Sequence, residues 1–337
     1  MSALATQWHD TPQLRQIKAA FGAAQDQLFF FGGALRDTRA GITPVDVDLV
    51  TNLTLQENMQ KLQMAGFTPT IASEPFGAIK LSAGHLQLDV HSLRAPMYEG
   101  WYDPQASLET NLKGYLQLSD FTLNAIACDV SGKLYDPFAG VADLAAGRVR
   151  FINPPMESIA GSPIQIVRFF RFFAWFGRTE PEIAALEACA RQRHLLAGQL
   201  GWKRYKAFKP LLTAPAPGRS LELMQKHHCL HPTLGFGIST LSHMQALEAL
   251  EKKRGEASAF HVRLALLLLS AALPFKDACR SLIIDAGLPT PLRVWLMAVA
   301  KYLPQLENVD RHEIEETIRQ GEQGTYNELL LLRQIMQ

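Results

Sequence analysis

Asp46 and Asp48 stand two residues apart in the run PVDVDLVTN. On a β-strand such residues share one face, so both carboxylates project to the same side. There a hard divalent cation such as Mg2+ can bridge them to a triphosphate. Upstream, the apolar run LFFF leads into Gly32 and Gly33 and then into ALRD, which reads as a helix start. Paired glycines let backbone N–H groups approach a phosphate chain, and a helix amino terminus adds a favourable dipole for the anion. A third carboxylate, Asp89, sits in LQLDVHSLR, an alternating strand that can lie beside the first two. Alone, a glycine pair is a tight turn and D-x-D a solvated strand end. In this order they have the layout of two-metal phosphoryl or nucleotidyl transfer.

The elements that must position these residues fall into two styles. Residues 1 to about 150 mix short β-like runs, LFFFGG, AIKLSA and LQLDVHSL, with glycine breaks; beyond Pro163 the apolar residues recur at helical spacing. An α/β head and an all-helical remainder are expected. Prolines and a glycine in FINPPMESIAGSP (Phe151 to Pro163) forbid a continuous helix, and TAPAPGRS (Thr213 to Ser220) marks a second break. Helices are expected at Ser220–His228, Met244–Lys253, His261–Leu273, Lys276–Ala286, Pro291–Tyr302, Arg311–Gln320 and Tyr326–Gln337. No repeat of fixed period is found.

Composition limits the function classes. The 337 residues are 47% hydrophobic and 19% charged, enough for a sizeable core in two or three domains and incompatible with general disorder. Lys and Arg number 33 against 32 Asp and Glu, so a nucleic acid would be held by local basic faces, not by a global cationic field. Four widely spaced cysteines, Cys128, Cys189, Cys229 and Cys279, argue against a disulfide framework or a thiolate zinc site and fit a reducing cytoplasm. The first residues, MSALATQWHDTPQLRQ, lack a basic and an apolar signal region, so the mature chain is expected to start near Met1. The most apolar stretch, Leu264 to Leu273, covers about half of the roughly 20 residues a membrane span needs and reads as a buried core helix.

The motif series GGALRD, DVDLVT, LQLDVHSLR, DFTLNAIACDVSGKLYDPFAGVADLAAGRVRFI and IVRFFRFFAWFGR resembles the class II tRNA nucleotidyltransferases, the bacterial CCA-adding enzymes and their poly(A) polymerase relatives. The order matches over about the first 215 residues. The resemblance implies an α+β fold: a nucleotidyltransferase head over 1–150, a helical neck carrying the nucleotide template over 151–215, and a helical RNA-binding body and tail over 216–337. It implies Mg2+ as cofactor, nucleoside triphosphates and a tRNA or other RNA 3′ end as partners, a cytoplasmic location and no membrane. It says nothing of oligomeric state. Asp46 and Asp48 would hold the metals, with Asp89 completing the cluster or acting as its base. Gly32, Gly33, Arg36 and Asp37 would contact the triphosphate or order its loop. Asp120, and Arg168 in the neck helix, would also contact the nucleotide, and Arg94 matches a family position. Asp136, Pro137, Gly140 and Asp143 match a structural turn.

Departures from the pattern bear on selectivity. Leu118 and Ser119 replace two arginines before DFT, and the segment between Arg94 and Asp120 contains no arginine. Gly161, Ser162 and Gln165 replace the EDxLR side chains that read the nucleobase edge; Ser162 and Gln165 still hydrogen-bond, but without charge. Trp202, Lys203, Tyr205 and Ala207 replace a second charged segment. The resulting expectation is a transferase that adds CMP and AMP to tRNA. Alternatives are altered nucleotide or acceptor choice, or an RNA-binding homologue with weak catalysis. GWKRYKAFKP offers Lys203, Arg204, Lys206 and Lys209 among aromatics, either to grip RNA or, at helical spacing, to pack its rings inward with the cations solvated. His227, His228, Cys229 and His231 look like a metal set, but neighbours on a helix point apart, which favours a structural or surface role.

Overall fold

A computed structural model describes residues 11–21, 28–84, 86–98, 100, 102–306, 311–320 and 326–336. The expectation about the amino-terminal residues falls largely on residues 1–10, outside the described residues. Two compact units, Met1–Asn153 and Pro154–Gln337, divide the chain.

The first unit is built on a seven-stranded mixed sheet: β1 (Leu28–Phe31), β2 (Asp46–Thr51), β3 (Thr70–Ser73), β4 (Ala78–Ala83), β5 (Leu86–Ser92), β6 (Ala127–Asp129) and β7 (Leu134–Tyr135). Their order across the sheet is β3-β4-β5-β2-β1-β6-β7. β2 and β5 run parallel, and the other neighbours are antiparallel. Side-chain alternation explains the layering. Val47 and Leu49 of β2 and Leu86, Leu88 and Val90 of β5 are buried in one apolar cluster with Leu14, Ile17 and Phe21 of α1 (Pro12–Phe21), Leu35 of α2 (Gly33–Arg39) and Leu62 of α3 (Leu55–Met64). The alternate positions, Asp46, Asp48, Asp89 and His91, are thereby forced to the opposite face. A smaller cluster, including Phe29, Val50, Leu112 and Leu116, holds α4 (Leu108–Leu116) beside that face.

The segment Asp136–Asp143 is a structural hub. Asp136 accepts the N–H groups of Gly140 and Val141 at 2.7 and 3.0 Å, fixing the start of α5 (Gly140–Ala146). A Cβ on Gly140 would lie 2.0 Å from the Thr122 carbonyl oxygen, so only glycine lets the turn lie against that backbone. Asp143, 1% exposed, accepts from Thr122 Oγ1, Arg148 Nε and Arg150 Nε.

The second unit is helical: α6 (Pro155–Gly161), α7 (Gln165–Phe176), α8 (Ile183–Gln192), α9 (Gly201–Leu212), α10 (Gly218–Lys226), α11 (Leu230–Leu234), α12 (Ser242–Arg254), α13 (Phe260–Leu269), α14 (Phe275–Ala286), α15 (Thr290–Tyr302), α16 (Arg311–Gln320) and α17 (Tyr326–Met336). α6 forms inside a proline-rich break because Pro154 and Pro155 fall at its start, where a missing N–H costs nothing, and Pro163 falls beyond its end. α13 stops four residues short of the expected Leu273. Ser270 Oγ donates to the Leu266 carbonyl, and Ala271 and Ala272 turn to pair with Ile238 and Gly237, with Pro274 following. Gln337 lies outside the described residues, so the last helix is described to Met336. No helix among the described residues is long and apolar enough to cross a membrane. All four cysteines are unpaired and buried.

One buried ion pair ties this unit together. Arg263, 1% exposed on α13, donates Nε and Nη2 to Glu251 of α12 at 3.1 and 2.7 Å, and Nη1 to the carbonyls of Leu212 and Ala214 at 2.7 and 2.6 Å. Arg263→Leu would leave Glu251 and two carbonyls without their donor, and thermal unfolding should show a loss of about 3–5 kcal/mol. A shift within 1 kcal/mol would contradict this account.

Candidate active site

Strand register creates the site. In the parallel pair Asp48 lies opposite Asp89, Asp46 opposite Gln87 and Val50 opposite His91. One carboxylate oxygen each from Asp48 and Asp89 and one ring nitrogen of His91 lie within 4.8 Å of one another. His91 Nε2 is 4.0 Å from Asp48 Oδ1. The imidazole is held edge-on by Phe31, with ring centroids 5.7 Å apart, and Phe31 packs in turn on Tyr115. Its Nδ1 is buried without a hydrogen-bond partner. Asp46 lies exposed at the start of β2 on the same face, outside this three-donor cluster.

The electrostatics follow from crowding. Burial, then the charges of Asp89 and Asp46, push the Asp48 carboxyl up to about 6, against the partial relief of Arg36 and Lys80. Lys80 on β4 stands 3.6 Å from Asp89. Burial pulls the His91 imidazole below its ordinary value, which keeps it neutral and able to donate a lone pair at pH 7. Two carboxylates and a neutral imidazole form a donor set that suits a divalent cation, which would also remove the repulsion between Asp48 and Asp89.

Around the cluster the glycine turn is placed as its types require. Gly32 has φ 68, and a Cβ there would sit 3.6 Å from the Asn124 carbonyl oxygen and 4.0 Å from Asp48 Oδ2. Its N–H donates to the Ile126 carbonyl, and α2 begins at Gly33. Arg36 Nε donates to Asp37 Oδ1 at 2.8 Å and Nη1 donates to Asn124 Oδ1; Asn124 Nδ2 donates to Asp120 Oδ1 at 2.8 Å. Four polar side chains from two distant segments therefore form one network beside the glycine turn. Arg94 leaves the end of β5 toward Glu57, 4.0 Å away, and lies over the Tyr102 ring.

Residues 28–150 match the family described as the poly A polymerase head domain. The match falls within the first of the two units and leaves the helical unit outside it. The mitochondrial CCA tRNA nucleotidyltransferase 1 of Danio rerio is 31% identical over 219 residues, 64% of this chain and 50% of the relative. The CCA-adding enzyme of Geobacillus sp. is 29% identical over 203 residues, 59% of this chain and 48% of that protein. The chain spans about half the length of these curated relatives. Among solved structures, a tRNA-processing enzyme in an apo form has TM-score 0.71 at 21% identity over 96% of this chain and 87% of its own. The Thermotoga maritima CCA-adding enzyme complexed with tRNA has TM-score 0.67 at 19% identity over 97% and 79%. The chain thus shares the α+β fold of those solved structures, a mixed-sheet head followed by helices.

In the second unit, Ser162 ends α6, and its carbonyl accepts the Gln165 N–H at the start of α7. Gln165 Oε1 is buried without a partner, and Arg168, one turn on, lies over the Phe172 ring. On α9, Lys203, Lys206 and Lys209 are exposed, and Trp202 is 49% exposed with Lys203 over its ring. Phe208 is buried, and Tyr205 packs on Phe260. Arg204 does not join the lysines. It is 7% exposed and donates to the Pro232 carbonyl at 2.9 Å and to Asp285, because its position on α9 faces α11 and α14. The RNA-binding expectation is therefore corrected at Arg204.

His91, Lys80 and Asn124 escaped the sequence reading. His91 was findable: it sits two residues after Asp89 on an alternating strand, the relation that singles out Asp46 and Asp48. Lys80 and Asn124 depend on strand pairing and loop return, which no local spacing encodes.

Asp48→Asn should separate stability from ligation. Because its folded value lies above that of an unfolded carboxyl, metal-free stability falls as pH rises from about 4 to about 6. With Asp48 35% exposed, solvent reduces the penalty to about 1 kcal/mol, so the variant should melt about 2–4 °C higher at pH 7 without metal. It should also lose Mn2+ binding measured by electron paramagnetic resonance. Wild-type Mn2+ affinity should decline as pH falls through about 6, where Asp48 gains its proton. A less stable variant that still binds Mn2+ would overturn the assignment.

Proposed function

We propose that the chain is an RNA nucleotidyltransferase that uses a divalent cation, Mg2+ in the simplest case, to add CMP and AMP from CTP and ATP to the 3′ end of tRNA. The observation that carries this reading is the register pairing of Asp48 with Asp89 beside the left-handed Gly32 turn. Relatives and structural neighbours described as CCA-adding enzymes support it, including structures described as complexes with CTP, ATP and tRNA.

The donors fit the cation: carboxylate oxygens are hard ligands, and a His91 ring nitrogen already lies within 4.8 Å of one oxygen of each acid. Asp46 and Asp48 would hold it and Asp89 would complete the cluster or take the proton of the attacking 3′-hydroxyl. When bound, the cation would supply charge neutralisation for the attacking oxygen and the departing pyrophosphate. Gly32 and Gly33 would let backbone N–H groups approach the triphosphate, while the Arg36–Asp37–Asn124–Asp120 network would fix the loop. Lys80, 3.6 Å from Asp89, would add positive charge near the triphosphate. Ser162 and Gln165 would form the hydrogen bonds that select the base, with Arg168 on the same helix, and Lys203, Lys206 and Lys209 would hold the RNA backbone.

Altered base choice is a second reading, favoured by the neutral Ser162 and Gln165 in place of charged side chains; the orphaned Gln165 Oε1, an acceptor suited to an exocyclic amino group, is compatible with either reading. Both adenine and cytosine present one.

The test is incorporation of each labelled triphosphate, with Mg2+, onto tRNA transcripts ending before CCA, after C and after CC. Ordered CCA addition, reduced at least about 10³-fold in Asp46→Ala and Asp48→Ala, is expected. Addition of a single nucleotide type would support altered selection, and intact activity in either variant would overturn the proposal.

A further inference from the structure

The turn after α10 carries a residue unlike those at comparable places in the chain. Helices α5, α11, α12 and α14 are followed by glycine in the left-handed region: Gly147, Gly235, Gly255 and Gly287. α10 is followed by His227 and then His228, with φ 57. Cys229 N–H donates to the Met224 carbonyl at 2.7 Å and His228 N–H to the Gln225 carbonyl at 3.0 Å. These two bonds define a Schellman turn, whose left-handed position favours glycine because any Cβ crowds the backbone there. Holding an imidazole at that position costs stability that glycine would spare, and such strain is characteristic of sites with a task.

A cavity accompanies the strain. His228, His231 and Pro232 line a space of about 600 Å³ together with Arg191, Arg193 and His194 from the end of α8 and the turn after it. Two guanidinium groups and three imidazoles line it, all five from exposed residues, and among the described residues no carboxylate lines it. Their present partners are weak competitors. Arg191 has Glu187 3.6 Å away in a solvent-exposed pair, Arg193 Nη1 donates to the Ala190 carbonyl, and His194 Nδ1 lies 3.2 Å from the Arg191 carbonyl oxygen. A guanidinium has five donors, so one bond to a carbonyl leaves most of its fork available to an anion.

The backbone behind these side chains is tied by hydrogen bonds. The Pro232 carbonyl accepts from buried Arg204, and Thr233 Oγ1 donates to the Cys229 carbonyl at 2.7 Å. A metal is not the natural occupant: among the described residues, only Asp48, Asp89 and His91 bring three donor groups close enough to share an ion. We propose that the cavity between the end of α8 and the α10–α11 turn binds phosphate groups, with His228 held in a glycine conformation to complete it. The phosphate is either that of an RNA backbone or a free phosphate ion. This inference stands on the helical unit alone and does not rest on the chemistry proposed for the head.

The full-length chain, its His228→Gly variant and its Arg193→Gln variant would be compared for binding of a fluorescein-labelled RNA hairpin by anisotropy and of inorganic phosphate by calorimetry. His228→Gly should melt at the same or a higher temperature while binding the phosphate probe at least about threefold more weakly, the loss of one charge-assisted contact. For RNA, Arg193→Gln should also lower the slope of log affinity against log salt by about one. Weakened RNA binding would assign the site to a phosphodiester, and weakened inorganic phosphate binding with unchanged RNA affinity would assign it to the free ion. If both variants bind both probes as tightly as the parent chain, the proposal is overturned. Should His228→Gly fail to fold, the Arg193→Gln comparison still decides it.

Discussion

Two carboxylates that repel each other are held side by side by backbone hydrogen bonds between β2 and β5, and the head is arranged around that conflict. The strands cannot slip by one residue to relieve it. A slip would turn Val47, Leu49, Leu88 and Val90 out of the apolar cluster and bring the charges in. The core therefore enforces the crowding at Asp48, and the crowding makes a cation welcome. Lys80 and Arg36 reduce the repulsion without abolishing it. Such a site trades stability for readiness to bind, and the trade is affordable only because the opposite face of the sheet is so fully packed.

The rest of the head supports that pair at one remove. The Gly32 turn passes close to Asp48, and the network from Asp37 through Arg36 and Asn124 to Asp120 pins the turn to the segment before β6. That segment is itself seated by Gly140 against Thr122 and by Asp143 with its two arginines. Residues nearly a hundred positions apart thus become one support. Their motif-like regularity follows from this, because a larger residue at Gly140 or an apolar one at Asp143 would loosen the support of the turn beside Asp48.

The sequence made much of this legible. Alternation in DVDLV and LQLDVHS announces the strands and the face their acids share, and proline and glycine punctuation brackets most of the later helices within two residues. What escaped has physical causes. The end of α13 is set by a bridge to Ile238, and the inward turn of Arg204 is set by Asp285. Both are long-range contacts that local periodicity does not carry. The aromatics of α9 divided as their spacing allowed, Phe208 inward and Trp202 outward. His91 was overlooked because a histidine on a strand lacks the distinctiveness of paired acids; only the register to β2 shows that it meets Asp48.

The buried cysteines give the molecule a practical property. Burial pushes the thiols of Cys128, Cys229 and Cys279 up to about 12 and raises Cys189 well above its ordinary value. At neutral pH a thiol titrating near 12 is ionised in only about one molecule in 10⁵, and the thiolate is the reactive form. The native chain is thus chemically quiet toward alkylating reagents while it stays folded. A cysteine introduced at an exposed position on either unit would be labelled against almost no background, and the onset of native thiol labelling would itself report local opening around each of the four sites.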